Sequence, residues 1–248
     1  MSPTQRQMLD GPRSTFQIGE ALSKTFSVWG SNLLPFILVT LIVNIPTLYF
    51  MRRQLTSVAE EDVRLWGALS QVSGWVMSIL ATGAVTYAVV QQLRGRPCGM
   101  GEALSVGAAR FFPVIGVGLL TMLAVVGGLI LLIIPGLIVS LMLLVATPVA
   151  IIERPGVVAS LKRSSELTKG VKGQLFVMLL LIGFVGGIIG FVVGMVLQGS
   201  APNTSWIVLG ALHVLVQSFG VVLPAVVYVL LRASRDGASI EDVAKVFD

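Results

Sequence analysis

The sequence is short of cysteine, histidine and charge. Of 248 residues one is cysteine, one is histidine, and only 12% are Asp, Glu, Lys or Arg, about half the charged share of an ordinary soluble domain. A single cysteine, Cys98, excludes an internal disulfide and falls short of a cysteine-based metal site. Hydrolysis of phosphodiesters typically draws several His, Asp and Glu together. Here the histidine stands alone and no carboxylate lies inside the charge-free stretches described below. There is no phosphate-binding Gly-rich motif with its Lys and no nucleophile elbow, so nucleotide hydrolysis and acyl transfer have no visible apparatus. The chain is therefore expected to be non-enzymatic, with no catalytic residue, cofactor or metal. The first 24 residues hold Arg6, Arg13 and Lys24 with no apolar run between them, so no cleavable secretory signal is expected.

What the chain has in abundance is apolar surface. Hydrophobic residues make up 55% and the mean hydropathy is +0.91, which excludes an ordinary water-soluble protein. Four stretches carry no charge at all: Thr25 to Met51, Leu65 to Leu93, Phe111 to Ile152 and Gly173 to Leu231. A helix needs about 20 apolar residues to cross a bilayer, so the first two stretches predict one crossing each and the longer two predict a pair each. Pro135-Gly136 is expected to close a tight hairpin in the third, and the turn-forming run Gly199 to Ser205, followed by Trp206 as an interfacial anchor, divides the fourth. The expected fold is an all-α bundle of six transmembrane helices with short interfacial amphipathic helices. Its spans lie at about 31–51, 66–93, 111–134, 137–152, 174–198 and 206–231, within a membrane domain covering 25–232.

Cations orient this arrangement. Of the 17 Lys and Arg residues, all but Arg52, Arg53 and Arg64 fall in the termini and in the loops of one side. That side should face the cytoplasm, leaving both the N-terminal segment 1–24 and the C-terminal segment 233–248 there. The same asymmetry accounts for the net charge of +5 without a nucleic-acid partner.

Short segments with helical periodicity precede each pair of spans. Ile18, Ala21, Leu22, Phe26 and Trp29 form the first, Met100, Ala103, Leu104, Ala108 and Phe111 the second, and the two share Gly-Glu-Ala-Leu-Ser at Gly19 to Ser23 and Gly101 to Ser105. A fainter third lies around Ala159, Leu161, Lys162, Arg163 and Leu167. Three units of surface helix plus membrane hairpin are suggested. Such helices lie flat in the headgroup region; they serve either as covers beneath the spans or as contacts for anionic lipid or a protein partner, through Lys162, Arg163, Lys169 and Lys172. A last amphipathic helix is predicted from Ile240, with Ser239 as its N-cap.

Polar residues within the spans are the other candidates. Asn44 lies in span one, and His213 and Gln217, four apart, share a face of span six. They either bond neighbouring helices or line a polar path for a transported solute. Span five carries Gly183, Gly186, Gly187, Gly190 and Gly194 in small-xxx-small spacing. That ridge is expected to pack against another span of the chain, with self-association as the alternative.

The run Ile133-Ile134-Pro135-Gly136-Leu137, then Thr147-Pro148, Glu153, Ala159, Lys162-Arg163-Ser164 and Thr168-Lys169-Gly170, resembles the signature of a group of bacterial six-span membrane proteins. The group includes the membrane domain attached to some glycerophosphodiester phosphodiesterases, and YciC-like proteins. Tyr228, Leu231-Arg232 and Asp236-Gly237 extend the match toward the C-terminus. The resemblance implies a six-span fold in a bacterial inner membrane. It implies no activity, because the chemistry of the phosphodiesterases belongs to a separate soluble domain. Glu153, beside Arg154 at the end of span four, is expected to form a helix-end ion pair.

Overall fold

The computed structural model describes residues 16–93 and 100–236. All the regular structure among them is helical. Most of the N-terminal segment 1–24 and the amphipathic helix expected from Ile240 lie outside the described residues. In chain order the helices are α1 (Ile18–Ser31), α2 (Leu33–Val43), α3 (Ile45–Thr56), α4 (Glu60–Leu93), α5 (Met100–Ala109), α6 (Phe111–Leu131), α7 (Ile133–Met142), α8 (Ala146–Ile152), α9 (Val157–Leu167), α10 (Lys172–Val196) and α11 (Pro202–Asp236). The short helices α1, α5 and α9 coincide with the three periodic segments; α5 and α9 each precede longer apolar elements, whereas α1 precedes the shorter α2 and α3.

Among the described residues five stretches are long and apolar enough to cross a membrane: α4, α6, α7 joined to α8, α10, and α11. A sixth is reached only if α1 and α2, bent by 84° at their junction, are counted as one. The architecture is that of a multi-pass membrane protein. Its exposed apolar surface agrees, with Leu131, Ile133, Phe184, Val196 and Ile207 all open to the surroundings, a display that water would penalise and lipid does not.

The expected first span, 31–51, is not one helix. It breaks at Asn44 into α2 and α3, because Pro46 in the first turn of α3 offers no N–H and its ring would strike the carbonyl four residues back. Asn44 adapts by sending both its backbone N–H and its side-chain Nδ2 to the Thr40 carbonyl, each at 2.9 Å. The hairpin between the third and fourth spans also differs from expectation. Its turn falls at Leu132, in extended conformation, and Pro135 and Gly136 sit in the first turn of α7, where a missing N–H costs no intrahelical bond. Gly136 still matters, because a Cβ on Gly128 would lie 2.8 Å from the Gly136 Cα. Only paired glycines let the two arms approach so closely.

The expected fourth span, 137–152, is likewise divided, by a turn at Leu143 to Val145. Pro148, in the first turn of α8, again explains the restart. Packing centres on α11. One side meets Val28, Phe36, Val39, Val85 and Val89 through Val222, Ala225 and Val226. Its C-terminal half meets Val145, Val149, Ile152, Leu167, Leu175 and Met178 through Val227, Tyr228 and Leu231. Helix α11 remains continuous through Pro224.

Candidate functional site

The first candidate lies at the C-terminal end of α11. Helix α8 ends at Ile152, and the chain reverses through Arg154, in the left-handed region at φ 55°, and Gly156 at φ 96°. A left-handed residue just past a helix end, with Pro155 after it, is an ordinary way to stop a helix, though the position more often holds glycine. The reversal folds α9 back so that Arg163 donates Nε–H to Glu153 Oε2 at 3.1 Å. Tyr228 donates its hydroxyl hydrogen to Glu153 Oε1 at 2.9 Å, and Arg232, one turn further along α11, donates from Nη1 to the Tyr228 oxygen at 3.0 Å. Arg232 Nε also lies 3.9 Å from the same carboxylate. One carboxylate thus ties together α8, α9 and α11. The helix-end ion pair expected for Glu153 is present, made with Arg163 and Arg232.

Directly beneath, the break between α7 and α8 leaves the Met142 carbonyl outside a regular ladder. Ser164 donates to it at 2.7 Å and Thr168 approaches it at 3.4 Å, both side chains fully buried. An unsatisfied buried carbonyl would cost about 1–3 kcal/mol, so the polar stripe of α9 exists to fill a gap in the neighbouring helix. The candidate cations divide accordingly. Arg163 is held inward by Glu153. Lys162 and Lys169 are exposed and Lys172 is half-buried.

The intramembrane candidates separate as well. His213 Nε2 lies 3.4 Å from Asn44 Oδ1, joining α11 to the α2–α3 break. Gln217 shares no hydrogen bond with them among the described residues; the next polar contact along α11 is made by Ser218, which accepts from Trp29 Nε1 at 2.9 Å and so ties α11 to α1. Ser73 donates to Thr47 at 3.1 Å, extending a polar seam along α3. These are bonds between helices, of about 0.6 kcal/mol each in comparable membrane proteins.

The glycine ridge of α10 does not pack as expected. A Cβ placed on Gly183, Gly186, Gly187, Gly190 or Gly194 would meet nothing within 4 Å. Only Leu175 and Met178, near the start of α10, are buried. Small-xxx-small spacing defines a flat helix face without specifying what lies opposite.

At the far end of α11 the sequence marked Trp206 as an interfacial anchor but not its partner. There Arg52 stacks over Trp206, its guanidinium carbon 5.3 Å from the ring centroid. Trp206 donates Nε1–H to the Leu48 carbonyl at 3.1 Å. Arg53 lies 4.9 Å from the ring of Trp66. The signal that could have found the first pairing is the placement of Arg52 and Trp206 at matching depths, both at the edge of a charge-free stretch. Among the described residues no three His, Cys, Asp or Glu side chains gather where a metal could bind. No family model, no curated protein and no solved structure matches the chain.

Proposed function

We propose that the chain is a non-enzymatic scaffold or accessory protein of the bacterial inner membrane. It crosses six times, the first crossing being drawn from the broken helices α1 to α3, and both termini are cytoplasmic. Its basic face contacts anionic lipid headgroups or a protein partner. The observation that carries this reading is the way Glu153 braces α9. With Arg163 held and Ser164 and Thr168 buried, α9 is fixed in position, and Lys162 and Lys169 stand out from a rigid base. Fixed cations beside a membrane attract anionic headgroups with about 1 kcal/mol each.

Lys162, Lys169 and Lys172 changed together to Gln should lower retention of phosphatidylglycerol during purification, measured by lipid extraction and mass spectrometry, with Lys24 and Arg110 left in place. Unchanged retention would remove the basic face from the reading. A second reading, transport of a lipid-like or amphipathic solute, is favoured by the helix break at Asn44 directly opposite His213, since broken helices expose backbone groups to substrates in transporters. Its test is flux into liposomes: His213→Ala and Asn44→Ala should reduce it, and flux unaltered by both would discard these residues.

A further inference from the structure

A cleft of about 760 Å³ opens sideways between the α2–α3 pair, α10 and α11. Its floor is made at Ala211, whose small exposed side chain leaves α11 hollow there, while Gly210 lets Leu48 and Met51 pack close, and Val193 of α10 forms the opposite wall. Trp206 and Leu48 lie at its outer end and Leu215 at its inner end. Nine residues of α11 separate Trp206 from Leu215, about 14 Å at 1.5 Å per residue. Every lining residue except Trp206 is aliphatic or glycine, a surface suited to a flexible hydrocarbon chain.

The outer end has the opposite character. Arg52 sits one helical turn beyond Leu48, exposed, and stacks on Trp206. Neither Arg52 nor Arg53 has a carboxylate within ion-pair distance among the described residues, while Glu60, at the start of α4, is taken by Arg64 at 3.7 Å. Stacking on an indole fixes the plane of a guanidinium yet leaves its N–H edges open, the arrangement suited to a phosphate.

We infer that this cleft binds one anionic phospholipid, an acyl chain lying between α10 and α11 and the headgroup phosphate on Arg52. The site is at the end of α11 remote from Glu153, so it stands independently of the basic face proposed above. Headgroup selection comes from Arg52 and chain capture from the hollow at Ala211.

The test is native mass spectrometry of the full chain in detergent, carrying Lys162→Gln, Lys169→Gln and Lys172→Gln so that the opposite end contributes little. Phosphatidylglycerol and phosphatidylethanolamine with identical chains are supplied at equal concentration. A single phosphatidylglycerol adduct should exceed the phosphatidylethanolamine adduct by about twofold to fivefold, because the ethanolamine ammonium offsets the phosphate that both lipids present to Arg52. Arg52→Gln should bring the two lipids to equal occupancy while an adduct persists. Ala211→Trp, at an exposed position that needs no repacking, should remove the adduct of either lipid, and Ala211→Leu should reduce it. Equal occupancy of the two lipids while Arg52 is intact, or full occupancy in the Ala211→Trp protein, would overturn the inference. Neither result would touch the basic face, which is read from the Lys variants alone.

Discussion

Helices α10 and α11 look alike as text and behave differently as structure. Both are uncharged through their apolar length and both are long enough to cross a bilayer. Yet 61% of the most apolar window of α11 is buried within the protein, against 6% for α10. Helix α11 buries Val221, Val222, Ala225, Val226, Val227 and Val229 and is tied to its neighbours through Ser218 and Tyr228. Helix α10 turns Phe184, Val185, Phe191 and Val192 outward and keeps its glycines facing open space. Apolarity commits a helix to lipid or protein without choosing between them; local shape and a few polar ties decide which.

Substitutions can break or sharpen that contrast. The largest effect is expected at the polar tie that anchors α11. Glu153→Ala would leave Arg163, Arg232 and Tyr228 turned toward an empty position, and removing one member of such a largely buried pair costs about 3 kcal/mol or more. Reversible unfolding in mixed micelles should show the loss, and a change under 1 kcal/mol would mean that α8, α9 and α11 are held by apolar packing alone. A matched leucine pair comes next. Leu231→Ala in α11 should destabilise by about 2 kcal/mol, the low end for a buried leucine because lipid offers the unfolded helix an apolar home. Leu180→Ala in α10, at an exposed position, should stay within about 0.5 kcal/mol. Equal losses would erase the distinction between the two helices. The smallest effect is a gain: Gly186→Ala meets no neighbour and should raise stability by about 0.5–1 kcal/mol through helix propensity. A loss there, growing with protein concentration, would place a second copy against α10.

Long-range pairing set the limit of what could be read from the text. Charge-free length announced α4, α6, α10 and α11, and periodicity announced α1 and α9, because each signal is local and repeated over many residues. The division at Asn44 was masked by the apolar run around it, even though Pro46 marked the place. Pro135 and Gly136 were visible as an interruption, but a proline is comfortable inside the first turn of a helix as well as before it, so the bend moved to Leu132. Glu153 was legible as half of an ion pair. Tyr228 and Arg232 stand on one face of α11, but their meeting with Glu153 depends on how α8 and α11 cross, which no local pattern records. For the glycine ridge the spacing showed a face, and only the fold could show that nothing in the described chain covers it.

The tip joining α6 to α7 carries its own implication for the surrounding bilayer. From Ile130 to Ile134 every side chain is large, apolar and at least 69% exposed, with neither a cation nor an aromatic ring to hold it among headgroups. Its backbone is partly self-sufficient: the Leu132 N–H bonds the Gly128 carbonyl and the Gly136 N–H returns to Leu132. The Ile133 and Ile134 N–H groups and the last carbonyls of α6 have no helical partner there, and α6 rises about 31 Å over its 21 residues, close to the thickness of a bilayer's hydrocarbon core. The tip is thus fitted to the very edge of the hydrocarbon, its side chains bare to acyl tails while its open backbone groups reach water or headgroup oxygens.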